Sequence, residues 1–458
     1  MPSLLEKLAI LVYKYRVALQ EREIYMGKEL LSTQPYKGTR DFYPEDMDLR
    51  NWFFGVIKDT LRKFNYREYD GPMLESYEMY AAKSGEEIVN EQTYHFTDNG
   101  GRNLAVRPEM TPTVARMVAA KLGSLNMPLR WFSIPNLYRY EKPQRGRLRE
   151  HWQVNVDMFG SDAIETDLEL LIVASSLLKA FGADSSMYQI KINNRRFYND
   201  LFEQVMGFDA EQSRKVSKAI DKKAKMPQED FNEYLKDLGL NDEQVVKLNS
   251  FFEMPLAEMT ALCPESQGAQ ELNKLFELIA AAGMSEICTF DFGIIRGFDY
   301  YTGTVFEVYD TDINNNRAMF GGGRYDNLIN LFVDKANVSG IGFGFGDVTL
   351  ENFLVSHNLV PELNYGMPRV LVTRFPEIPY GEYLKLAEEL RTSNISVSVY
   401  TDDKKLAKQM KYAADEKYDF AIILGEDELK NNTVVLKDLS KGENIPVSRD
   451  ELVARILG

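Results

Sequence analysis

The chain is poor in the two residue types that most often bind metal or cross-link a fold: its 458 residues include 2 cysteines and 3 histidines. Cys263 and Cys288 form no CxxC pair, which excludes a disulfide framework and a zinc ribbon. His95, His151 and His357 are scattered, so no metal site is expected. Long apolar runs are also missing, and nothing approaches the ~18 consecutive apolar residues of a membrane helix. The opening MPSLLEKLAILVYKYRVALQEREIYMGKELL mixes both charges, unlike a secretory signal or an Arg-rich transit peptide, so a cytoplasmic location is expected. Positive charge is in deficit, with 54 Lys and Arg against 69 Asp and Glu for a net charge of -15. A surface of that sign repels polyanions at long range; this excludes a general nucleic-acid coat but leaves room for a local basic patch. No GxxxxGK[ST] occurs, and GIGFGFG (340–346) spaces its glycines at every second residue instead of as GxGxxG. A nucleotide bound here does not sit on a P-loop or a dinucleotide fingerprint.

What is present is ordinary globular material, 44% hydrophobic and 27% charged, with 26 Phe and 25 Tyr to fill cores. The length is compatible with roughly three domains of ~150 residues. Residues 4–31 carry Leu4, Leu5, Leu8, Leu11, Val12 and Tyr15 at helical spacing, and predict one or two amphipathic helices. GTRDFYPEDM (38–47) reads as a loop, followed by a helix over 49–66, with Pro72 ending a short extended segment. Between 103 and 160 we expect a strand near NLAVR and a helix over TPTVARMVAAKLG. Two strand-like runs follow, RWFSIPNLYRYE and REHWQVNVDMFG, joined by KPQRGR as a hairpin. SDAIETDLELLIVASSLLKAFG predicts a buried helix with a Ser/Asp cap. The stretch 196–286 is charged and helix-rich, an inserted module. TVFEVYD (304–310) and GIGFGFG read as strands, and MFGGGRYDNL (319–328) as a glycine turn. From 367 the order strand, helix, strand, helix, strand, strand, helix marks a separate α/β domain.

Three stretches carry chemistry. In GIGFGFG the glycines bare one face of a strand, which either lets a flat group such as a base approach or serves tight packing. In RGFDYYTGTVFE (296–307) an Arg, an Asp and two tyrosines precede a strand; such a pair is more often a core corner than a pocket. YRYEKPQRGRLREHWQ (138–153) crowds Arg139, Lys142, Arg145, Arg147 and Arg149 together in an acidic chain. Charge runs are usually solvated faces, but Arg147 and Arg149 alternate onto one face that Arg139 can meet across the hairpin. Clustered cations are costly without an anion between them, and the arginine fork suits phosphate, so a polyphosphate fits.

YRYEKPQRGRLREHWQ resembles motif 2 of the class II aminoacyl-tRNA synthetases in its histidyl form, and RGFDYYTGTVFE resembles the histidine signature of the histidyl-tRNA synthetases. GTRDFYP, RPEMT, INNRRF and GGGRYDNL match in order, from about residue 36 to the C-terminus. The resemblance implies an α+β fold: an antiparallel sheet flanked by helices, a helical insertion and a C-terminal α/β anticodon-binding domain. The implied divisions are an N-terminal extension 1–35, a catalytic core 36–365 with the insertion at about 196–286, and the anticodon domain 367–458. A homodimer is implied, with the Pro72 region in its interface.

The implied reaction joins L-histidine to tRNA(His) with ATP and Mg2+. By similarity Arg139 holds the α-phosphate, Arg296 sits beside the histidine carboxylate, Arg147 reaches the outer phosphates, Glu141 faces adenine, and Arg324 is a candidate cation for ATP. Glu109, Thr111 and Gln153 would bind the substrate amino group, and Asp157 with Tyr301 would bracket the imidazole beside Tyr300. Lys142, Gln144 and Arg145 would meet the tRNA acceptor end. The chain departs from the family at His151, where a phenylalanine usually stacks on adenine, and at Val348 and Thr349, where motif 3 usually ends in Glu-Arg. Asp347 is expected to cap the helix beginning there. An alternative reading is a histidine-binding regulatory subunit on the same core; such subunits usually lack the C-terminal domain that this chain has.

Overall fold

In a computed structural model the protein is described over residues 30–82, 88–223, 226–295, 300–315, 317–363 and 366–458. Arg296 and almost all of the expected 4–31 helix lie outside the described residues; Leu30 and Leu31 are not helical. The chain divides into two compact units, 1–43 with 54–360 and 44–53 with 361–458.

The first unit is organised by a nine-stranded sheet. Its strands are β1 (Arg67–Glu68), β5 (Leu129–Ser133), β6 (Asn136–Tyr138), β7 (Glu150–Phe159), β8 (Tyr188–Asn194), β9 (Cys288–Phe290), β10 (Thr304–Asp310), β11 (Ala318–Arg324) and β12 (Gly340–Gly346). A second, three-stranded sheet holds β2 (Leu74–Ser76), β3 (His95–Thr97) and β4 (Asn103–Val106). The large sheet runs β1-β5-β7-β12-β11-β10-β8-β9, antiparallel throughout except for parallel pairs at both ends, with β6 added to β7. The end of β7 from Val154 to Phe159 is buried at every position, because one face packs under helices and on the other Tyr325 and Tyr69 close over Asp157. The helix Ile164–Ala180 packs on β12, and the helix Gln267–Ala281 packs against both that helix and β8. Leu170, Leu171, Val173, Ala174, Leu177 and Leu178 are fully buried in that contact. Each such aliphatic side chain larger than alanine contributes about 1.5–3 kcal/mol of transfer free energy.

The second unit carries a five-stranded sheet ordered β14-β13-β15-β16-β17, made of Ser396–Val399, Arg369–Val372, Phe420–Ile423, Thr433–Asp438 and Glu443–Ser448. The first three are parallel neighbours and the last two are antiparallel additions. Helices Tyr380–Arg391 and Arg449–Leu457 place Tyr383, Leu386, Leu390 and Leu452 against Val370, Ile422 and Leu436. The strand Glu443–Ser448 escapes the sequence pattern because Pro446 sits inside it. It is an edge strand, where a missing N–H costs nothing.

Several expectations need correcting. The first described helix begins at Pro44, not at 49: proline is pre-set for a helix start, and Glu45 with Asp46 suits the positive end of the dipole. The helix Ile164–Ala180 has Ala163 as its N-cap with no side-chain cap bond, and Ser161 instead bonds Thr166 Oγ1 at 2.8 Å. MFGGGRY is a strand and not a turn; Gly321, Gly322 and Gly323 pair on both sides, with β10 and β12. A Cβ at Gly322 would lie 2.1 Å from the Gly342 carbonyl oxygen, so the close approach of two strands demands glycine there.

Candidate active site

The motif hairpin is shorter than its sequence suggests. β6 ends at Tyr138 and β7 begins at Glu150, so Arg139, Arg147 and Arg149 all lie in the connecting loop. The loop is clasped at its base, where the Arg139 N–H donates to the Arg149 carbonyl at 2.8 Å and the Arg149 N–H donates to the Gly38 carbonyl at 2.8 Å. Gly38 has a positive φ of 88°, and a Cβ there would sit 2.8 Å from Arg149 Cγ. Arg149 does not share a face with Arg147. Its guanidinium lies over the Tyr140 ring at 4.1 Å, and Nη1 donates to Tyr36 Oη at 2.6 Å. Two aromatic faces, not an anion, absorb this cation.

Arg139 and Arg147 do line one cavity of about 450 Å³, together with Glu141, His151, Gln153 and Glu307. Arg139 is oriented by its Nε, which donates to the Pro108 carbonyl at 2.8 Å. Arg147 Nη1 bonds Glu141 Oε2 at 3.1 Å; the arginine is half-exposed, so water screens the pair and a phosphate can compete for the guanidinium. His151 is pushed down to about 3 by burial and by the guanidiniums of Arg139, Arg40 and Arg147, so its ring is neutral. A neutral imidazole can stack on a base without adding charge.

A narrower inner cavity opens from the outer one, sharing Gln153, Tyr301, Gly321 and Gly344. Glu109, Thr111 and Tyr300 also line it. Glu109 is buried and accepts from Tyr300 Oη at 3.0 Å, while Thr111 opens the helix Thr111–Ala120. Asp157 is buried behind Tyr325 and Gly342 of this lining and is not itself part of it, accepting from Tyr325 Oη on Oδ1 and from Tyr69 Oη on Oδ2 at 3.4 Å. Burial raises its carboxyl to about 7, against the lowering effect of both phenols. Burial likewise pushes the phenols of Tyr300, Tyr301 and Tyr325 upward, so all three remain hydrogen-bond donors.

The alternating glycines of β12 make this arrangement possible. A Cβ on Gly344 would lie 2.7 Å from Gln153 Cδ, and one on Gly342 would lie 2.5 Å from Asp157 Oδ1. The bare face is therefore occupied mainly by side chains of β7 and by Tyr325, a role that neither the flat-ligand nor the packing reading had singled out.

Arg324 is elsewhere. It is buried, pairs with Asp167, and donates to the Ser161 carbonyl and Ser339 Oγ at 3.0 Å each. Its charge is consumed in the fold, and it lines none of the cavities described. Asp347 is not a cap either: Gly346 holds that position, and the Asp347 carboxylate accepts from Arg40 Nη2 at 2.6 Å and from the Trp152 N–H at 3.0 Å. Of the loop residues expected to meet tRNA, Gln144 and Arg145 line a further cavity, whereas Lys142 is exposed and outside it. Sequence reasoning passed over Arg40, Tyr69, Glu307 and the role of Tyr325. Tyr325, Arg40 and Glu307 stood inside quoted motifs, but nothing in their spacing showed which wall each would face.

The histidyl-tRNA synthetase family matches residues 38–347, and an anticodon-binding domain family matches 377–458. The histidine–tRNA ligase of Leptospira biflexa serovar Patoc is 46% identical over 94% of this chain and 99% of that protein. That of Thermoplasma volcanium is 36% identical over 91% and 96%. The crystal structure of histidyl-tRNA synthetase from Nostoc sp. PCC 7120 shares the fold with a TM-score of 0.77 at 22% identity, covering 93% of this chain and 99% of that one. The α+β fold, the ordered motifs and these near full-length matches agree that the chain belongs to the histidyl-tRNA synthetase family.

Proposed function

We infer that the protein is an ATP-dependent histidine–tRNA ligase, which activates L-histidine as histidyl-adenylate and passes it to the 3′ end of tRNA(His). The observation that carries this is the junction of two cavities at Gln153 and Tyr301, one walled by cations and the other by a carboxylate and phenols.

The histidine carboxylate attacks the α-phosphorus of ATP, the bond to the β-phosphate breaks, and pyrophosphate leaves with the electron pair. A terminal ribose hydroxyl of tRNA then attacks the acyl carbon, and AMP departs. The protein supplies no nucleophile; it positions the partners and stabilises charge on the crowded phosphate. Arg139 takes the α-phosphate, Arg147 the outer phosphates, Glu141 the adenine edge, and neutral His151 stacks on the base. Glu109, Thr111 and Gln153 hold the amino group. Asp157 accepts one ring N–H, and the phenols of Tyr301 and Tyr325 face the ring beside it. A ring without those nitrogens leaves buried polar groups unpaired, which is the source of selectivity. Arg296, at the histidine carboxylate, enters by resemblance alone.

Mg2+ enters with the phosphates, its usual mode of binding. Among the described residues no group of three or more His, Cys, Asp or Glu is placed to hold a metal, but Glu307 lines the outer cavity as a single carboxylate suited to such an ion. Its charge would add to that of the arginines. The second unit is read as the anticodon-binding part, the active form as a homodimer, and the location as cytoplasmic. Presence of the second unit favours the ligase over the regulatory alternative.

Histidine-dependent exchange of pyrophosphate into ATP tests the reading. The wild type should support it, and Arg139→Ala should reduce kcat/KM by about 100-fold, the cost of one well-placed donor to a transition-state oxygen. Histidine binding without exchange would give the site to the regulatory reading.

A further inference from the structure

A second cavity, of about 340 Å³, lies beside the outer one and shares Gly146, Arg147, Ala318, Met319 and Thr349 with it. Arg145 and Gln144 reach it from the motif loop, Arg317 from the residue before β11, and Asn352 from the helix Asp347–Ser356. Arg317 Nη2 donates to Gln144 Oε1 at 3.1 Å, joining the two sides. Three guanidiniums around one cavity repel each other unless an anion enters, and the Asn352 amide adds an uncharged donor, whereas the Asn315 amide is already spent on Asp310 Oδ2 at 2.7 Å and Ser356 Oγ at 3.1 Å. Asp312 lies within electrostatic reach of Arg145, but its Oδ1 is taken up by the N–H and Nδ2 of Asn314 at 2.9 and 3.0 Å.

Thr349 is part of the wall that the two cavities share. Thr349 Oγ1 folds back onto the Met319 carbonyl at 2.8 Å and the Gly346 carbonyl at 3.0 Å, and its Cγ2 lies 3.6 Å from where a Gly146 Cβ would stand. A longer side chain at 349 would extend into this shared wall; threonine leaves it clear.

We propose that this cavity receives the outer phosphates of ATP, and the pyrophosphate they become, with Arg317 and Arg145 supplying the positive charge that Thr349 cannot. The assignment rests on the outer cavity being the ATP site. Arg139 borders only the outer cavity, Arg147 borders both, and Arg317 borders only the second, so a phosphate chain running past them in that order meets a cation at each step. When the α-phosphorus bond breaks, negative charge grows on the leaving pyrophosphate, and cations already in place stabilise it.

Calorimetric titration of the full chain with inorganic pyrophosphate, without tRNA, reads the cavity directly. Arg317→Ala should weaken pyrophosphate binding and raise the ATP KM in exchange by about 10-fold, the scale of one charge-assisted contact, while the histidine KM stays within about 2-fold. Arg317→Lys should recover part of the loss. Thr349→Arg added to Arg317→Ala should recover most of it, since a guanidinium then enters from the opposite wall. The proposal fails if Arg317→Ala leaves pyrophosphate affinity and ATP KM unchanged, including the case where only the KM for tRNA rises and the cavity belongs to acceptor-end phosphates. Arg317-dependent pyrophosphate binding in a wild type that lacks histidine-dependent exchange would keep the anion site and sink the ligase reading instead.

Discussion

The Tyr325 hydroxyl donates to the Asp157 carboxylate directly above Gly342, so the residue that follows β11 and one in β7 meet across the strand between them. The contact exists because Gly342 has no Cβ; an added one would lie 2.7 Å from Tyr325 Oη. In the proposed function this contact holds the carboxylate that would accept the ring N–H, and the raised carboxyl of Asp157 would make that acceptor pH-dependent.

With Asp157 raised to about 7 and a free imidazole near ~6.5, both partners gain protons as pH falls, yet their contact keeps only one proton between them. Histidine affinity should therefore decline below pH ~6.5, measured by equilibrium binding. Asp157→Asn should lower affinity at pH 7.5 and flatten this dependence. For the empty protein the sign is the reverse of the usual carboxylate. The folded state binds more protons between pH ~4 and ~7, so Asp157 costs stability as pH rises through that window, and Asp157→Asn should remove this cost in thermal unfolding.

Two glycine substitutions should separate site from fold. In Gly344→Ala the new methyl group meets the end of a flexible side chain, Gln153 Cδ, so Tm should change little while the histidine KM rises by about 10-fold. In Gly322→Ala it meets the backbone oxygen of Gly342, which cannot yield, so the loss should be about 3 kcal/mol or more of stability. Denaturant midpoints and KM values measured on both variants check the contrast.

Arg324 and Asp167 form a buried pair, with side chains 5% and 0% exposed. Removing one partner strands a buried charge, so Arg324→Met and Asp167→Leu should each destabilise by about 3–5 kcal/mol. The double variant should recover part of the loss. If Arg324→Met instead left stability unchanged and raised only the ATP KM, the residue would act as a ligand.

Asp347 joins Arg40 to the Trp152 backbone beside His151. Asp347→Asn keeps an acceptor for the Trp152 N–H but removes the charge opposite a partly buried guanidinium. Stability should fall by about 1–3 kcal/mol, and the ATP KM should rise as β7 loosens near His151. Asp347→Ala should cost more on both counts, because the Trp152 N–H also loses its partner.

Much of this protein could be read from its sequence. Alternating apolar residues give β10 its limits, 304–310, because a strand's period is local and its two faces differ in burial. The charged helical stretch 196–286 folds as helices among the described residues for the same local reason. The motif residues Arg139, Gln153 and Tyr301 do come together, since each lies within a segment whose chemistry is uncommon outside a site.

Partner choice was not legible in the sequence. Arg324 and Arg139 are the same residue type in equally suggestive motifs, yet Asp167 neutralises one and a cavity surrounds the other, a difference set by residues far away in the chain. Arg149 settles on Tyr36 and Tyr140, and Asp347 leaves the cap for Arg40. The triple glycine that reads as a turn becomes a strand because β10 and β12 close on it from both sides. The sequence by itself determined most of the elements, the family and the inventory of charges, because periodicity and motif are properties of neighbours along the chain. Only the tertiary structure decided which charges are spent on the fold and which face a cavity, because hydrogen bonds and desolvation depend on neighbours in space.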